Sequence, residues 1–284
     1  MAPTGATEGA VQKIAIILGI VVVVLLVGYW LATGGLPKRE PAAWLSARPI
    51  AHRGQWTDGP ERPENSLAAF AEAARNGYAV ELDAQLSADG QVVVFHDDDL
   101  ERMTGVSGAL GDRTLAQLQD LRLLGGKETI PTLAQVFELV DGRVPVFVEI
   151  KNPGKVGALE DKVAGEVAAY DGEATIMSFN PFSMARVAAT EPAIPRGQVA
   201  SALKDSGRAF YEVFLLRYLL MNWKSKPDYI AYDIQELPST TTKIQQWRGR
   251  PLIGWVANSA QELQTAEEFC DTVEFNPKPP ESGE

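Results

Sequence analysis

The longest apolar run of the chain lies close to its amino terminus. Residues 14–32 read IAIILGIVVVVLLVGYWLA and contain no charged side chain. At a rise of about 1.5 Å per residue, a helix of this length extends about 28 Å, which is close to the thickness of the hydrocarbon core of a bilayer. Tyr29 and Trp30 come at its end, where aromatic side chains are enriched at the membrane–water interface. The pattern predicts a transmembrane helix at 14–32, between a polar tail at 1–13 and a linker at 33–47.

A cleaved signal peptide is the alternative for this segment, because small residues follow at 32–34. The apolar part of a signal peptide usually has about 7–15 residues, so the longer run favours an uncleaved anchor of a single-pass membrane protein. Lys13 precedes the span, whereas Lys38, Arg39 and Arg48 follow it. The positive-inside rule therefore predicts that the domain after the span is cytoplasmic.

From residue 48 to residue 284, β-rich runs alternate with helical patterns such as 66–76 and 132–140. The predicted strands are 49–52, 78–83, 144–150, 173–178, 196–200, 229–234, 251–256 and 271–275. Alternation of this kind indicates an α/β fold in which helices cover a parallel sheet. Eight strands predict a closed (β/α)₈ TIM barrel that occupies residues 48–284 as one domain.

One further β-rich run, VVVF before His96, does not fit this count. Asp89 and Gly90 form a two-residue hairpin turn signal, and so short a connection joins only antiparallel strands. Residues 84–96 are therefore predicted to form a β-hairpin excursion after the second strand, above the rim of the barrel. Symmetric pairing about the turn places His96 opposite Asp83.

Charge and cysteine content narrow the range of functions. The net charge of −11 argues against nucleic acid as a partner, because an acidic surface repels a phosphate backbone. An anionic substrate then requires a local cluster of cations or a metal ion. The single cysteine, Cys270, excludes an internal disulfide and a CxxC metal site.

The two histidines of the chain, His52 and His96, each end a β-rich run. In α/β barrels the catalytic residues lie at the carboxyl ends of the strands. A pair of imidazoles at such positions suits general acid–base catalysis near neutral pH. A structural role is the alternative for either histidine taken alone.

Three carboxylates lie on predicted strands where polar side chains are unexpected. Glu81 and Asp83 are two residues apart and so face the same side of one strand, while Glu149 ends another. Three oxygen donors at one rim are typical of a Mg²⁺ or Ca²⁺ site. Alternatively, each acid pairs with a cation near by, and Arg53 and Lys151 lie at the same rim. Both cations are also suited to binding phosphate oxygens.

Five short motifs, in this order and spacing, resemble those of the glycerophosphodiester phosphodiesterase family. They are His52-Arg53-Gly54, Pro63-Glu64-Asn65-Ser66, Glu81 with Asp83, His96-Asp97, and Glu149 with Lys151. Ser178-Phe179 and Trp255 match less specific positions of the family pattern. The resemblance therefore covers about residues 48–257.

The resemblance implies metal-dependent hydrolysis of a glycerophosphodiester to glycerol 3-phosphate and an alcohol. It implies one divalent cation, Mg²⁺ or Ca²⁺. It also implies that the neighbouring glycerol hydroxyl attacks the phosphate, which gives a cyclic phosphate that water then opens. One histidine acts as the acid and the other as the base, with the assignment open. The implied roles are catalysis by His52 and His96, metal binding by Glu81, Asp83 and Glu149, phosphate binding by Arg53 and Lys151, and support by Glu64, Asp97 and Trp255.

Two other functions remain open from the sequence. A lysophospholipase D-like enzyme would use the same chemistry on membrane lysolipids, and the predicted anchor would hold it beside them. A catalytically silent, membrane-bound phosphodiester-binding protein is the second alternative. The two histidines and three carboxylates argue against it, because binding alone needs no acid–base pair.

Two segments depart from the expected pattern. The chain ends its last predicted strand with Glu274-Phe275-Asn276-Pro277, where family members often have Thr-Asp-x-Pro, so the contribution of that strand to the substrate pocket is open. Residues 208–223 are unusually apolar. They are interpreted as a barrel helix with an inward apolar face or as a lipid-facing patch beside the anchor.

Overall fold

Eight parallel strands form a closed barrel in the computed structural model, which describes residues 4–152, 155–202 and 209–276. The strands are β1 (Ile50–Ala51), β2 (Ala79–Leu86), β3 (Val92–Val94), β4 (Val146–Ile150), β5 (Ala174–Ser178), β6 (Arg196–Ala200), β7 (Tyr229–Asp233), β8 (Leu252–Ala257) and β9 (Thr272–Phe275). All except β3 follow one another around the barrel, and β1 pairs with both β2 and β9 to close it. The predicted (β/α)₈ barrel is confirmed.

Helices connect the strands on the outside of the barrel, and one further helix precedes the first strand. They are α1 (Thr4–Ala32), α2 (Leu67–Arg75), α3 (Glu101–Thr104), α4 (Leu115–Gln119), α5 (Leu133–Val140), α6 (Ala158–Ala169), α7 (Pro181–Thr190), α8 (Phe210–Arg217), α9 (Asn222–Ser225), α10 (Thr240–Trp247) and α11 (Ala260–Phe269). Local capping explains where several begin. The Ser66 hydroxyl accepts a hydrogen bond from the Ala69 amide at the start of α2, and Thr132 forms a capping box with Gln135 at the start of α5.

The hairpin after the second strand is present, but its register differs from the prediction by one residue. β3 runs antiparallel to β2 and pairs Val94 with Ala84. The amide of Phe95 donates to the carbonyl oxygen of Asp83 over 2.8 Å. Phe95, and not His96, therefore faces Asp83, and the predicted pairing is wrong.

The turn of the hairpin explains the difference. The Ser87 amide donates to the Gln91 carbonyl over 3.0 Å, which leaves three residues in the loop instead of two. Gly90 adopts a φ of +74°, whereas Asp89 does not have a positive φ. A two-residue type I′ turn needs positive φ at both central positions, so this sequence forms the three-residue loop that places glycine in the left-handed region.

The interior of the barrel changes from apolar to charged along the strands. Because alternate residues of a strand face the same side, Ala79 is followed by Glu81 and Asp83 on β2, and Phe147 by Glu149 on β4. The apolar half lies at the amino-terminal ends of the strands. The charged half therefore lies at the carboxyl ends, where the site described below is located.

A short 3₁₀ helix at Ala43–Ser46 closes the amino-terminal end of the barrel. Leu45 is fully buried there and packs with Phe147, Tyr229 and other interior side chains. Removing a buried leucine from such a layer costs about 2–5 kcal/mol, so this closure contributes substantially to stability.

The amino-terminal helix α1 projects from the barrel. Residues Ala10–Ala32 are long and apolar enough to cross a membrane, and none of this stretch is buried. The helix ends with the Gly35 amide donating to the Trp30 carbonyl over 3.0 Å, and Gly34 takes a φ of +86°. A membrane span and a signal sequence both fit this length and composition.

The last turn of α1 and the residues after it pack tightly on the barrel. Thr33 is fully buried, and its Oγ1 accepts a hydrogen bond from Nη1 of Arg248 over 2.7 Å. The same guanidinium lies 4.0 Å from the centre of the Trp30 ring. Arg250 donates to the carbonyl oxygens of Gly34 and Gly35 over 3.1 and 2.9 Å. We call this set of contacts the root of α1.

The segment predicted as a linker, 33–47, is held along its length. Arg39 forms a bidentate ion pair with Asp228, with both distances 2.8 Å, and also donates to the Ile194 carbonyl over 2.7 Å. Asp228 and Ile194 precede β7 and β6, so the segment crosses the amino-terminal end of the barrel.

The apolar segment 208–223 has a buried and an exposed side, although residue 208 is outside the described part of the chain. Leu216 and Leu219 are buried against the barrel. The aromatic side chains of Phe210, Phe214 and Tyr218 are exposed and follow one another along α8, with neighbouring ring centres 6.3 and 4.9 Å apart. Spacing of four residues places them on one face of the helix.

Candidate active site

Three carboxylates and a histidine come together where the carboxyl ends of β1, β2 and β4 meet. β2 carries Glu81 and Asp83, β4 carries Glu149, and His52 follows β1 directly. Parallel pairing places Asp83 beside Glu149 on the neighbouring strand. The barrel thus brings residues from three strands to one level of its interior.

Glu81, Asp83 and Glu149 form a compact oxygen cluster. Each offers one carboxylate oxygen, and these three atoms all lie within 4.8 Å of one another. All three side chains are buried, and Oε1 of Glu81 and Oδ1 of Asp83 accept no hydrogen bond. Buried carboxylate oxygens without donors are costly unless a cation satisfies them. The donor set and the orphaned oxygens therefore fit one divalent cation that prefers oxygen ligands.

The pKa values in the cluster show the same need for positive charge. Burial and then the charge of Asp83 raise the pKa of Glu81 well above its usual value, and burial raises that of Glu149 as well. Burial and the charge of Glu149 raise the pKa of Glu274, a further interior acid on β9, to about 8. At Asp83 burial opposes the surrounding positive charges, of which those of Lys151 and then Arg53 act most strongly, and these together hold the pKa below its usual value.

Arg53 connects the carboxylates to the loop after β1. Its amide donates to Oε2 of Glu81 over 2.9 Å, and its Nε lies 3.3 Å from Oδ2 of Asp83. Its Nη1 donates to Oε1 of Glu64 over 3.0 Å. Arg53 holds this position with a φ of +59°.

Lys151 approaches the cluster from the end of β4. Its Nζ lies 3.2 Å from Oε1 of Glu149 and 3.4 Å from Oδ1 of Asp83. Although burial opposes the shift, the charges of these two acids raise the pKa of Lys151, so it is a cation at neutral pH. The side chains of Arg53 and Lys151 are partly exposed, at 16% and 21%, and so border the opening of the site.

His52 is oriented by a residue that follows the last strand. Its Nδ1 donates to Oδ1 of Asn276 over 2.9 Å. Its Nε2 points towards the carboxylates, 4.0 Å from Oε2 of Glu81. Burial, assisted by the charge of Arg53, lowers the pKa of His52 to about 4. The imidazole is therefore neutral near pH 7, with the free lone pair of Nε2 facing the cluster.

His96 belongs to a chain of charged contacts at the opening. Its Nδ1 lies 2.7 Å from Oδ1 of Asp97, and Nε of Arg102 donates to Oδ2 of Asp97 over 2.5 Å. Nη2 of Arg102 donates to Oε1 of Glu64 over 2.6 Å. Because Glu64 also binds Arg53, the two histidine regions are connected through ion pairs.

Gln85 holds the end of the hairpin in place. Its Nε2 donates to the carbonyl oxygens of Phe95 and Asp97 over 2.9 Å each. His96 interacts electrostatically with Asp83, so the two side chains are close despite the shifted register.

Trp255 forms part of the wall on β8. Its ring meets that of Phe179 edge-on, with ring centres 5.5 Å apart. Its Nε1 is buried without a hydrogen-bond partner. Trp255 lies near the carboxyl end of β8 and Phe179 follows β5, so both are at the same end of the barrel as the carboxylate cluster.

Sequence reasoning missed several residues of this site. Asn65 donates to Oδ2 of Asp83 over 2.8 Å, and its motif had been assigned a role only through Glu64. Arg102 and Asn276 carried no signal, since an arginine after a hairpin and an asparagine after a strand are common. Pro277, quoted with the last strand, is outside the described residues.

Comparison with known proteins identifies the family. The sequence profile of the "Glycerophosphoryl diester phosphodiesterase family" matches residues 52–268, which is more than half of the chain. The chain belongs to the glycerophosphoryl diester phosphodiesterase family. The match to this family includes all ten residues given roles above from the sequence, but it ends before β9. Glu274, Asn276 and α1 thus lie outside the family match.

Relatives of the glycerophosphoryl diester phosphodiesterase family align with part of the chain. A "Glycerophosphodiester phosphodiesterase" of Caldanaerobacter subterraneus subsp. tengcongensis is 37% identical over 163 residues, which cover 52% of this chain and 64% of that protein. The human "Glycerophosphodiester phosphodiesterase 1" is 26% identical over 252 residues, covering 78% of this chain and 75% of its own. The alignment thus spans less than two thirds of the bacterial relative.

Solved structures agree on the fold of this glycerophosphoryl diester phosphodiesterase family member. An Oleispira antarctica phosphodiesterase in complex with the product sn-glycerol-3-phosphate superposes with a TM-score of 0.68 at 26% identity, covering 81% of this chain and 93% of that one. A glycerophosphodiester phosphodiesterase from Thermotoga maritima gives a TM-score of 0.64 at 24% identity, covering 80% and 93%. At 24% identity, the similarity to the Thermotoga maritima structure supports the fold alone.

Proposed function

We propose that the protein hydrolyses glycerophosphodiesters to glycerol 3-phosphate and an alcohol, using one divalent cation and two histidines. The observation that carries the proposal is the oxygen cluster of Glu81, Asp83 and Glu149, with its three ligand atoms within 4.8 Å of one another. His52, Arg53 and Lys151 surround it, and family membership supports the reaction class. The product named for the Oleispira antarctica relative supports glycerol 3-phosphate as one product.

The cation is proposed to be Mg²⁺ or Ca²⁺, because every side-chain ligand is a carboxylate oxygen. When bound, it supplies positive charge that stabilises the phosphate and makes an adjacent oxygen nucleophile more acidic. The two orphaned oxygens, Oε1 of Glu81 and Oδ1 of Asp83, are the atoms best placed to take part.

Arg53 and Lys151 are proposed to bind the phosphate. Both guanidinium and ammonium lie at the edge of the carboxylate cluster and border the opening. The guanidinium offers a planar pair of donors and the ammonium a point charge. Their present ion pairs with Asp83 and Glu149 hold both cations in position for a phosphate oxygen.

The geometry favours His52 as the base. Its Nδ1–H is held by Asn276, so Nε2 carries the lone pair, and its lowered pKa keeps the ring neutral. A neutral ring with a free nitrogen accepts a proton from the glycerol hydroxyl or from water. Asp97 holds Nδ1 of His96 at the opening, and His96 is proposed to donate a proton to the leaving alcohol.

Glu64, Asp97 and Trp255 are proposed to support these residues. Glu64 holds Arg53 and Arg102, while Asp97 orients His96. Trp255 and Phe179 together offer an apolar wall to the glycerol or alcohol part of the substrate.

The helix α1 is proposed to be an uncleaved membrane span. The support is its apolar length together with the root, where Trp30 and Thr33 complete the environment of Arg248. Cleavage in the 32–34 region would remove Trp30 from this guanidinium and leave a charged amino terminus next to a buried site. Intact-mass analysis of the native protein tests this directly, since loss of about the first thirty residues would identify a signal peptide.

Release of glycerol 3-phosphate from glycerophosphocholine, with and without EDTA, tests the reaction and its metal dependence. We expect turnover with Mg²⁺ or Ca²⁺ and none with EDTA. The variant Glu81→Gln should lose turnover and metal binding measured by calorimetry. Glu138→Gln is the matched control, because Glu138 is an exposed acid on α5. Full turnover by Glu81→Gln, or full turnover in EDTA, would contradict the proposal.

A further inference from the structure

The root of α1 and the catalytic site lie at opposite ends of the barrel. Arg39 binds residues that precede β6 and β7, and Arg250 precedes β8, so the root meets the amino-terminal ends of the strands. The carboxylate cluster and His52 lie at the carboxyl ends. Strands of five to six residues separate the two ends by about 17–20 Å.

The surface around the root has the composition of a membrane interface. We define the collar as the six exposed side chains that surround the root, which are Leu31, Leu36, Lys38, Trp223, Lys226 and Trp247. The two tryptophans are 51% and 76% exposed, which is unusual for side chains of this size. The ring of Trp247 packs edge-on against Trp30, at the end of the apolar helix. Tryptophan and lysine at such a position are typical of residues at the level of lipid headgroups.

The charge of this surface is opposite to that of the whole protein. The exposed ionisable side chains that line the two clefts beside the root are two bases, Lys38 and Lys226, and one acid, Glu40. Arg39 is paired with Asp228, and Arg248 and Arg250 are buried. The chain as a whole has a net charge of −11. The exposed Lys38 and Lys226 on an otherwise acidic protein favour contact with anionic lipid headgroups, at about 1 kcal/mol for each of these two side chains.

We propose that the collar rests on the surface of a bilayer that contains anionic phospholipid, so that the barrel stands on its amino-terminal end with the catalytic opening facing away from the membrane. This inference rests on the proposed role of α1 as a membrane span, and it is independent of the hydrolytic reaction. The collar continues directly from the span, which ends at Ala32 within the same surface.

The root makes this orientation a property of the fold, because it allows little rotation between helix and barrel. Thr33 and Arg248 are buried at the junction, and a side chain at Gly34 would meet the backbone of Asn222 at 3.0 Å. The root therefore limits pivoting about 33–35 and keeps the amino-terminal end of the barrel towards the membrane. Within that range, the contacts of the collar with the headgroups hold the barrel upright.

The consequence for the substrate is that it reaches the opening from the aqueous side. Water-soluble glycerophosphodiesters meet this condition. A lysolipid would have to leave the bilayer and reach an opening that lies one barrel height above its surface. The exposed aromatic stripe of Phe210, Phe214 and Tyr218 on α8 is the rival membrane surface, since contact through it would lay the barrel on its side and bring the opening towards the lipid.

Energy transfer in the full chain tests the orientation. A donor dye is attached at Glu40→Cys beside the collar, at Tyr211→Cys on α8, or at Gln235→Cys after β7, each in a Cys270→Ser background. The protein is reconstituted in vesicles of phosphatidylcholine and phosphatidylglycerol at 3:1 with acceptor dye on the headgroups. We expect transfer to be strongest from position 40 and weakest from position 235, with distances to the headgroups that differ by about 17–20 Å. Strongest transfer from position 211 or 235 would overturn the proposal.

A collar variant provides the second measurement. The collar variant combines Trp223→Ser, Lys226→Glu and Trp247→Ser. It should shorten the distance from position 235 to the headgroups or widen the distribution of that distance. The α8 variant, Phe210→Ser with Phe214→Ser, should leave the distance unchanged. Neither variant changes a residue of the proposed catalytic site, so turnover of glycerophosphocholine serves as the folding control. Unchanged distances in the collar variant, or a change in the α8 variant alone, would overturn the proposal.

Two further readouts separate the possible causes of failure. Energy transfer between copies labelled at position 40, if it persisted at low protein-to-lipid ratios, would show that the collar binds a second copy of the chain and would overturn the membrane contact. Intact mass and resistance to carbonate extraction report on α1 itself. Loss of α1 would contradict both this inference and the proposed membrane span. A retained span with dye-to-headgroup distances in another order would contradict this inference alone.

Discussion

Nδ1 of His52 donates a hydrogen bond to the side-chain oxygen of Asn276 over 2.9 Å. The two residues are 224 positions apart and meet only because β9 closes the barrel against β1. The contact fixes the tautomer of the histidine and directs Nε2 towards the carboxylate cluster. It therefore couples closure of the barrel to the protonation state that catalysis by His52 would need.

Replacing Asn276 should change both rate and pH dependence. Asn276→Ala removes the acceptor, and we expect kcat/KM for glycerophosphocholine to fall about tenfold, in line with the loss of one hydrogen bond. Asn276→Asp places a negative charge against Nδ1, which stabilises the protonated ring and raises the pKa of His52. The acidic limb of the pH profile should then move to higher pH. Asn258→Asp, at an exposed neighbouring residue that does not contact His52, is the control. Identical pH profiles for both aspartate variants would contradict the positioning role.

The two histidines should respond differently to the leaving group. If His96 donates the proton, His96→Ala should reduce release of choline-type alcohols by about 10²–10⁴-fold but affect release of nitrophenolate much less, because that anion leaves without a proton. His52→Ala should reduce turnover of both substrates alike. The measurement is kcat/KM for glycerophosphocholine and for a nitrophenyl ester of glycerol phosphate. Near-normal turnover of the first substrate by either variant would exclude the two-histidine mechanism.

In the metal-free protein, the free energy of unfolding should depend on the protonation of Glu274. Its pKa is about 8 in the folded protein, above the usual value of 4.5, so the protonated carboxyl favours folding. This stabilisation is present at low pH and is lost as pH rises towards 8. In EDTA and detergent, the free energy of unfolding in urea should fall between about pH 5 and pH 8.

The variant Glu274→Gln should reduce that slope and raise the free energy of unfolding at pH 7 by on the order of 2 kcal/mol, since one pKa unit corresponds to about 1.36 kcal/mol. Glu138→Gln, at an exposed position, should change neither quantity. If Glu274→Gln destabilised the metal-free protein at pH 7, the carboxyl would have to be charged and paired, contrary to its buried setting.

Arg102 is predicted to matter although it is not in any of the five sequence motifs. It joins Asp97 to Glu64, so Arg102→Ala should let His96 and Arg53 move and should lower kcat about tenfold with a smaller change in KM. The variant Arg102→Lys should recover little of the kcat that Arg102→Ala loses, because an ammonium cannot bridge both carboxylates as the planar guanidinium does. Arg75→Ala is the control, since Arg75 is exposed and pairs only within α2. Full activity of Arg102→Ala would show that Asp97 holds His96 unaided.

The sequence by itself determined the features that depend on local pattern. Alternation along β2 and β4 was enough to place Glu81, Asp83 and Glu149 on inward faces, because the side-chain period of a strand is two. The apolar length of 14–32 and the turn signal before β3 were equally local. The order and spacing of the five motifs indicate the family without the tertiary structure.

Tertiary structure alone decided what depends on closure and on turn geometry. The contact of His52 with Asn276 and the ion pair of Arg39 with Asp228 join positions 224 and 189 residues apart. The pattern around either residue could not reveal its partner, because many distant polar side chains fit equally well. The register of the hairpin depended on which residues of a three-residue loop adopt a positive φ. The segment 33–47 reads as a linker, yet it packs on the barrel, because its Arg39 pairs with Asp228 and its backbone carbonyls and Thr33 hydroxyl accept hydrogen bonds from Arg248 and Arg250.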